Sequence, residues 1–189
     1  DGVTDRLVVV CPDRHGLLAD VAQVMAAEGA NILHAFAEVR DDAIVLDAFA
    51  FDDGHGERLP PDRLLRLRQA VLHVATAPQG NPQRVRMAAP RLGLNRVRFV
   101  QCDAWGNSRV EVRSEDRPGL LALLAATIAS AGWQIRLAKI NTDGHRAVDV
   151  FWLSDPAGAA LSHAACTSLR AMLLLALDPS FEVEKKHGH

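Results

Sequence analysis

Apolar and polar residues alternate along the first half of the chain in a pattern that predicts the order βαββα. The apolar run 6–11 predicts a buried strand, and apolar positions at helical spacing predict a helix that ends at Gly29. Two further strands flank the turn residues Asp41 and Asp42. A second helix is predicted because four apolar residues share one side of it: Leu64, Leu67, Val71 and Val74.

The second half of the chain repeats this pattern. A strand at 108–115, a helix, two strands around the turn Asp143-Gly144 and a last helix follow in the same order. At an offset of 103 residues, nine residues of the loop and helix at 13–29 recur unchanged. Asp13, Arg14, Gly16, Leu17, Leu18, Ala19, Ala22, Ala26 and Gly29 correspond to Asp116, Arg117, Gly119, Leu120, Leu121, Ala122, Ala125, Ala129 and Gly132.

The duplication predicts two units of one fold, with the first domain at 1–105 and the second at 106–189. Residues 77–95 carry three prolines and two glycines without periodicity, so they are interpreted as a linker inside the first domain. The fold class is α+β: two ferredoxin-like βαββαβ units with antiparallel sheets and helices on one face. The strand candidate 96–104 is expected to complete the first unit and to form a hairpin with the first strand of the second unit. A short edge strand at 181–185 is expected to close the second unit.

Composition and charge narrow the classes of function. Of 189 residues, 49% are hydrophobic and 23% are charged, and the net charge is -2, so neither a nucleic-acid partner nor a membrane partner is expected. The locally basic stretch 84–98 is interpreted as a solvated linker. Three cysteines without a CxxC pair indicate a reduced, cytoplasmic setting. Because the chain begins at Asp1 and not at Met, we expect a processed chain or a fragment.

Two loops of the form D-R-x-G lie where a strand passes into a helix. Unpaired backbone N–H groups and the positive end of the helix dipole at such a place favour a carboxylate or a phosphate. Gly16 and Gly119 allow close approach of a ligand, whereas Asp13 and Asp116 are candidates to cap the helix or to bind an ammonium group. The alternative is a capped helix start without a ligand.

Asp47 and Asp149 hold matching places in otherwise apolar third strands. The first expectation is that both face solvent on the open side of the sheet, and the alternative is a contact between the units. The sequence has no zinc-binding spacing, nucleophile elbow, phosphate loop or dinucleotide-binding fingerprint. No catalytic residue, metal site or cofactor is therefore predicted.

The segments "DRPGLL", a helix ending at Gly132 and "QIRLAKINT" resemble the ACT domain, a regulatory module that binds small molecules. The segments "DRHGLL" and "GANI" show the same pattern in the first half, so the resemblance covers about residues 5–178. "RLAKINTDGHRAVDVFWLSD" is in addition similar to the C-terminal regulatory region of the bacterial PII uridylyltransferase/uridylyl-removing enzymes. In that region two ACT domains occur in tandem.

The resemblance implies a cytoplasmic sensor of an amino acid, glutamine, that controls uridylylation of the PII nitrogen-signalling protein. Its implied partners are catalytic domains upstream, the PII protein and a second copy that pairs through the ACT sheets. Asn31 matches the asparagine of ACT ligand sites, Gln134 stands there only by analogy, and His15 replaces the usual proline. The implied ligand-binding residues are Asp13, Arg14, Gly16, Leu17, Asn31, Asp116, Arg117, Gly119, Leu120 and Gln134.

Two other functions stay open at this stage. One is a free-standing protein of two ACT domains, akin to the glycine-cleavage repressor type, which acts through protein contacts. The other is a small enzyme of ferredoxin-like fold, although no residue of the chain is a candidate for its catalysis. An upstream nucleotidyltransferase in the full-length gene would separate the fused sensor from the free-standing protein.

Overall fold

The computed structural model describes residues 4–77, 95–100 and 107–178. The first half contains β1 (Asp5–Pro12), α1 (Leu17–Ala27), β2 (Asn31–Val39), β3 (Ile44–Asp52) and α2 (Pro61–Thr76). The second half contains β4 (Arg96–Val100), β5 (Ser108–Glu115), α3 (Leu120–Ser130), β6 (Gln134–Asp143), β7 (Arg146–Ser154) and α4 (His163–Leu177).

The element bounds follow the repeat found in the sequence. The strand β5 and the helix α3 begin and end 103 residues after β1 and α1 (5 to 108, 17 to 120). The offset falls to 102 at β7 and α4 (44 to 146, 61 to 163), because the turn between β6 and β7 is shorter than the one between β2 and β3. The two halves therefore share one order of elements.

The strands form one antiparallel sheet of seven strands in the order β1-β3-β2-β6-β7-β5-β4. Within each half the first strand pairs with the third and the third with the second, as a ferredoxin-like unit requires. The halves join where β2 pairs with β6, from His34 opposite Asn141 to Glu38 opposite Leu137. The predicted α+β class with antiparallel strands is confirmed.

The strand β4 forms the expected hairpin with β5, but it does not complete the first half. It lies at the edge of the sheet beside β5, where the fourth strand of the second unit belongs, and it makes no described pairing with β1. The expectation that this segment closes the first unit is wrong, since the connection after α2 is long enough to cross to the other half. The strand candidate 181–185 and most of the linker 77–95 lie outside the described residues. The division at 105/106 remains a proposal.

The core lies between the sheet and the helices. Phe51, Met25 and Phe151 are among its largest fully buried side chains. The helices α1 and α3 contact each other across the boundary between the halves, where alanines such as Ala22 and Ala125 are buried and leave little side-chain bulk. The N-termini of these two helices, and thus the two D-R-x-G loops, therefore lie at this boundary, which we call the seam. Among the described residues, no helix is long and apolar enough to cross a membrane.

Candidate functional site

The two D-R-x-G loops have the same backbone conformation. Gly16 and Gly119 are the N-cap residues of α1 and α3, with φ/ψ of 78°/5° and 85°/3°. Only glycine adopts this left-handed conformation without steric cost, so the glycine of the motif is required for the sharp turn into the helix. Neither helix has a side-chain hydrogen bond at its N-cap, so of the two alternatives for Asp13 and Asp116, capping the helix and binding an ammonium group, the structure does not show the first.

The first loop lines a cavity of about 40 Å³ that both halves enclose. Asp13 and Asp47 come from the first half, whereas Trp133 and Gln134 come from the second. His15 bridges the halves, because its Nε2 donates a hydrogen bond of 2.9 Å to the Ala129 carbonyl of α3. Histidine at the position of the usual proline thus gives this loop an anchor on the other half.

The second loop lines an equivalent but smaller cavity of about 10 Å³. Asp116, Arg117 and Asp149 of the second half face residues of α1 and the start of β2 there. The two halves are linked beside it by a hydrogen bond of 3.2 Å from Asn31 Nδ2 to Asp116 Oδ2. Asn31 is 8% exposed.

The start of the second strand of each half therefore lies beside the loop of the opposite half, so each site is built from both halves. Gln134 belongs with the loop of Asp13, and Asn31 belongs with the loop of Asp116. The sequence identified these residues, but a repeat shows which residues correspond and not which half faces which. Gly16 and Leu17 line the first cavity, and Gly119 and Leu120 line the second.

Asp47 and Asp149 lie on the helix-covered face of the sheet and are 2% and 1% exposed. The expectation that they face solvent is wrong, because β3 and β7 alternate so that these positions share a face with buried residues such as Phe49 and Phe151. Each carboxyl group lies in one of the two cavities. They belong to the site, and the only signal in the sequence was a single acid at matching places in two apolar strands.

Burial and a neighbouring carboxylate perturb the titration of both groups. Burial, and then the charge of Asp13, raise the pKa of Asp47 to about 7. Burial, and then the charge of Asp116, raise the pKa of Asp149 to about 8. Burial also raises the pKa of Asp13 and of Asp116. The Oδ1 atom of Asp149 is buried without a hydrogen-bond partner among the described residues.

The two arginines of the motif fasten each loop to the end of the second helix in the same half. Arg14 donates a hydrogen bond of 2.9 Å to the carbonyl of Val74, and Arg117 donates one of 3.3 Å to the carbonyl of Leu177. These contacts bring the C-terminal carbonyl groups of α2 and α4 to a guanidinium group, which stabilises a helix end.

The charges around these arginines differ between the halves. Arg14 forms an ion pair of 2.7 Å with Asp20 of α1. The corresponding residue of α3 is Leu123, so the second half lacks the equivalent of this ion pair. Burial lowers the pKa of Arg117, while the charge of Glu115 acts in the opposite direction. Within the part of the chain that the structure describes, the half-buried guanidinium of Arg117 therefore lacks the equivalent of the Asp20 counter-ion.

Each cavity thus combines groups for both charges of a small zwitterion. Carboxyl groups accept hydrogen bonds from an ammonium group, and a helix start with an arginine suits a carboxylate. Among the described residues, no group of three or more His, Cys, Asp or Glu side chains is arranged to hold a metal ion. The arrangement fits recognition of a small polar ligand.

Comparison with known proteins agrees with this geometry. Residues 6–62 match the family model of the ACT domain. The bifunctional uridylyltransferase/uridylyl-removing enzyme of Gluconobacter oxydans strain 621H is 34% identical over 167 residues, which are 83% of this chain and 18% of that protein. The enzyme of the same description from Vibrio atlanticus strain LGP32 is 32% identical over 174 residues, 89% of this chain and 20% of that protein.

The chain spans about one fifth of the length of these curated relatives. Among solved structures, the aspartate kinase of Synechocystis superposes with a TM-score of 0.52 and 16% identity, covering 96% of this chain and 27% of that one. At this identity the likeness shows the fold alone. The resemblance stated from the sequence, to the ACT domain and to the uridylyltransferase/uridylyl-removing enzymes, is confirmed.

Proposed function

We propose that this chain, which contains an ACT domain, is a regulatory module that binds an amino acid, and that the amino acid is glutamine. The observation that carries the proposal is the pair of equivalent cavities in the seam, each built from a helix-start loop of one half and the second strand of the other. Glutamine is proposed because the similar enzymes are uridylyltransferases, and the resemblance to their regulatory region implies a glutamine sensor that controls modification of PII.

The second cavity is the better receptor for a zwitterion. Arg117 lacks the equivalent of the Asp20 counter-ion, and beside its hydrogen bond to the Leu177 carbonyl its guanidinium is placed to meet the ligand's carboxylate, whereas Arg14 is neutralised by Asp20. The carboxyl groups of half-buried Asp116 and buried Asp149 are placed to accept hydrogen bonds from the ammonium group. Asn31 offers an amide beside them.

Binding at this place couples the ligand to the arrangement of the two halves. The cavities have room for only about one to three water molecules, so an amino acid enters only if the loops move away from the opposite half. The hydrogen bonds from His15 to Ala129 and from Asn31 to Asp116 cross the seam, so this movement changes them. A ligand that favours the opened seam over the closed one shifts their equilibrium, and this differential affinity is what allosteric control needs.

A second candidate is a free-standing regulatory protein that acts through protein contacts. The observation that favours it is the exposed apolar surface of the first half, which includes Val8 and Val10 of β1 at 60% and 63% exposure. Contiguous apolar surface of this kind is typical of protein interfaces.

Calorimetry of the purified chain against the twenty amino acids tests the proposal. We expect heat on titration of glutamine, lost in Asn31→Ala and retained in Asp143→Asn, which removes an exposed carboxylate from the β6–β7 turn. Binding of a different amino acid would contradict the choice of glutamine as the ligand, but it would agree with a module that binds an amino acid. Silence across the whole panel would contradict the module and favour the free-standing protein.

The role in PII control is tested in the full-length parent enzyme. We expect glutamine to change the balance between uridylyl transfer to PII and its removal, and we expect the same change to be lost in Asn31→Ala. A parent enzyme whose Asn31→Ala variant responds to glutamine as the wild type does would contradict control through this seam.

A further inference from the structure

The second cavity of the seam encloses a carboxyl group that is buried away from bulk water. Asp149 is 1% exposed, and the cavity of about 10 Å³ has room for about one water molecule. The Oδ1 atom of Asp149 has no hydrogen-bond partner among the described residues, whereas most buried oxygen atoms in proteins have one. This atom is therefore available to a hydrogen-bond donor that enters the cavity.

The charged groups around Asp149 do not compensate a negative charge on it. Among the described residues that line the cavity, the other charged side chains are Asp116 and Arg117. Asp116 would repel an ionised Asp149, and Arg117 donates a hydrogen bond of 3.3 Å to the carbonyl of Leu177. A buried carboxylate without a partner of opposite charge is costly, so such a group holds a proton instead.

The elements packed around Asp149 bring neutral side chains to it. The described lining residues of α1 and of the start of β2 are alanines and Ile32, those of α3 are leucines and an alanine, and Thr142 of β6 is uncharged. Two more carboxylates act at one remove. Burial raises the pKa of Asp116 and the charge of Asp52 adds to this, while the charge of Glu115 acts on Arg117.

An ammonium group supplies what this cavity lacks. It brings a positive charge and several N–H donors, and the Oδ1 atom of Asp149 is an acceptor without a described partner. Beside an ammonium group the ionised form of Asp149 is favoured, because opposite charges at hydrogen-bond distance stabilise each other. The carboxyl O–H bond then breaks and its proton passes to the solvent. A neutral carboxyl group and a zwitterion thus give a carboxylate–ammonium pair and a free proton, which balances the charge.

We infer that Asp149 selects ligands that carry an ammonium group, and that binding exchanges the proton of its carboxyl group for that ammonium group. The inference rests on the function proposed above and names the part of an amino acid that the second cavity recognises. A ligand without a positive charge cannot replace the proton in this way. Proton and ligand compete for the same carboxyl group, so the affinity falls as the pH falls.

Calorimetry of glutamine binding in two buffers measures the protons released. Pipes and imidazole take up protons with different heats, so at about pH 7 the apparent enthalpy of binding differs between them in proportion to the release. For the tighter site we expect about one proton released per glutamine bound. Because burial, and then the charge of Asp116, raise the pKa of Asp149 to about 8, the association constant should rise about tenfold per pH unit up to that pH.

Two changes separate this contact from a structural role. Asp149→Asn should lose the proton release, should bind about tenfold or more weakly at about pH 8, and should show no dependence of affinity on pH through this group. The exposed control Asp143→Asn should behave as the wild type, and circular dichroism checks that both variants are folded. On the ligand side, 4-carbamoylbutanoate is glutamine without its ammonium group, and we expect it to bind at least about tenfold more weakly, without release of protons.

The outcomes distinguish this inference from the function on which it rests. Glutamine binding with the same apparent enthalpy in both buffers would overturn the exchange and leave the proposed function standing. Proton release that persists in Asp149→Asn would assign the exchange to another group and overturn the role of Asp149, as would equal affinities for glutamine and 4-carbamoylbutanoate. Absence of glutamine binding would contradict the proposed function, and the inference with it.

Discussion

Replacing Asp149 by asparagine keeps the shape of a buried side chain and removes its titration. The carboxyl group is 1% exposed in the folded chain, and burial together with the charge of Asp116 raises its pKa from 3.8 to about 8. In the unfolded chain it is solvated and ionises near the ordinary value of an aspartate. Over the intervening pH range the folded state therefore holds a proton that the unfolded state has lost.

The sign and size of the effect follow from this difference in bound protons. A raised pKa in the folded state contributes stability that is present below the unfolded pKa and is lost as the pH rises towards the folded pKa. The loss is about 1.4 kcal/mol per pH unit in that range. From about pH 5 to about pH 7.5 the wild-type chain should lose roughly 3 kcal/mol through this group. Asparagine does not titrate, so the Asp149→Asn variant has no such loss. Its free energy of unfolding relative to that of the wild type should therefore rise by the same amount over this pH range.

Urea denaturation at the two pH values, followed by tryptophan fluorescence and circular dichroism, gives the free energies of unfolding. Asp143→Asn, an exposed residue of the β6–β7 turn, controls for the change in net charge. The reasoning would be refuted if the difference in the free energy of unfolding between Asp149→Asn and the wild type were the same at both pH values. It would mean that solvent reaches the carboxyl group in the folded chain.

Three other experiments test the loops. Asp116→Ala should lower the affinity for glutamine by more than about tenfold, or 1.4 kcal/mol. Asp13→Ala should lower this affinity less, because a proline preorganises the second loop. Equal losses of affinity in calorimetry would contradict this ranking. Gly16→Ala should cost about 1–2 kcal/mol in thermal unfolding, because the strain lies in the φ of 78° while the nearest atom to an added Cβ is 3.9 Å away. A double-mutant cycle on Arg14→Ala and Asp20→Ala should give a coupling free energy of about 1 kcal/mol or more, because the paired side chains are only 14% and 11% exposed. If the two losses in the free energy of unfolding simply add, the ion pair contributes nothing to stability.

The elements could be predicted from the sequence because they depend on local patterns. Helical spacing, the glycines of the two loops and the turn at Asp143-Gly144 each act over a few residues, and the nine repeated identities gave the topology of one half from the other. The structure bears this out at β5 and α3, which keep the 103-residue offset at both ends.

The arrangement between the halves could not be predicted in this way. The strands β3 and β7 each contain an acid, Asp47 or Asp149, among apolar residues. Alternation along a strand shows which residues share a face of the sheet, but it does not show which face the helices cover. The expectation for Asp47 and Asp149 therefore chose the wrong face. The placement of β4 depends on which edge a long connection reaches, and the pairing of Asn31 with Asp116 depends on the contact between β2 and β6. These are long-range choices that the local pattern leaves undecided.

Because both halves belong to one polypeptide, the two loops can have different residues at matching positions. Two copies of a single unit, related by a twofold axis, would carry the same residue at every matching position. Here His15 matches Pro118 and Asp20 matches Leu123, so the first loop contacts the other half through His15 and has a neutralised arginine, whereas the second loop contacts it through Asp116 and lacks the equivalent of Asp20. Two sites of unequal affinity fill at different concentrations, and the combined saturation curve is broader than that of a pair of equal sites. Under the function proposed above, a duplicated chain of this kind responds across a wider span of ligand concentration than a symmetric dimer of its half.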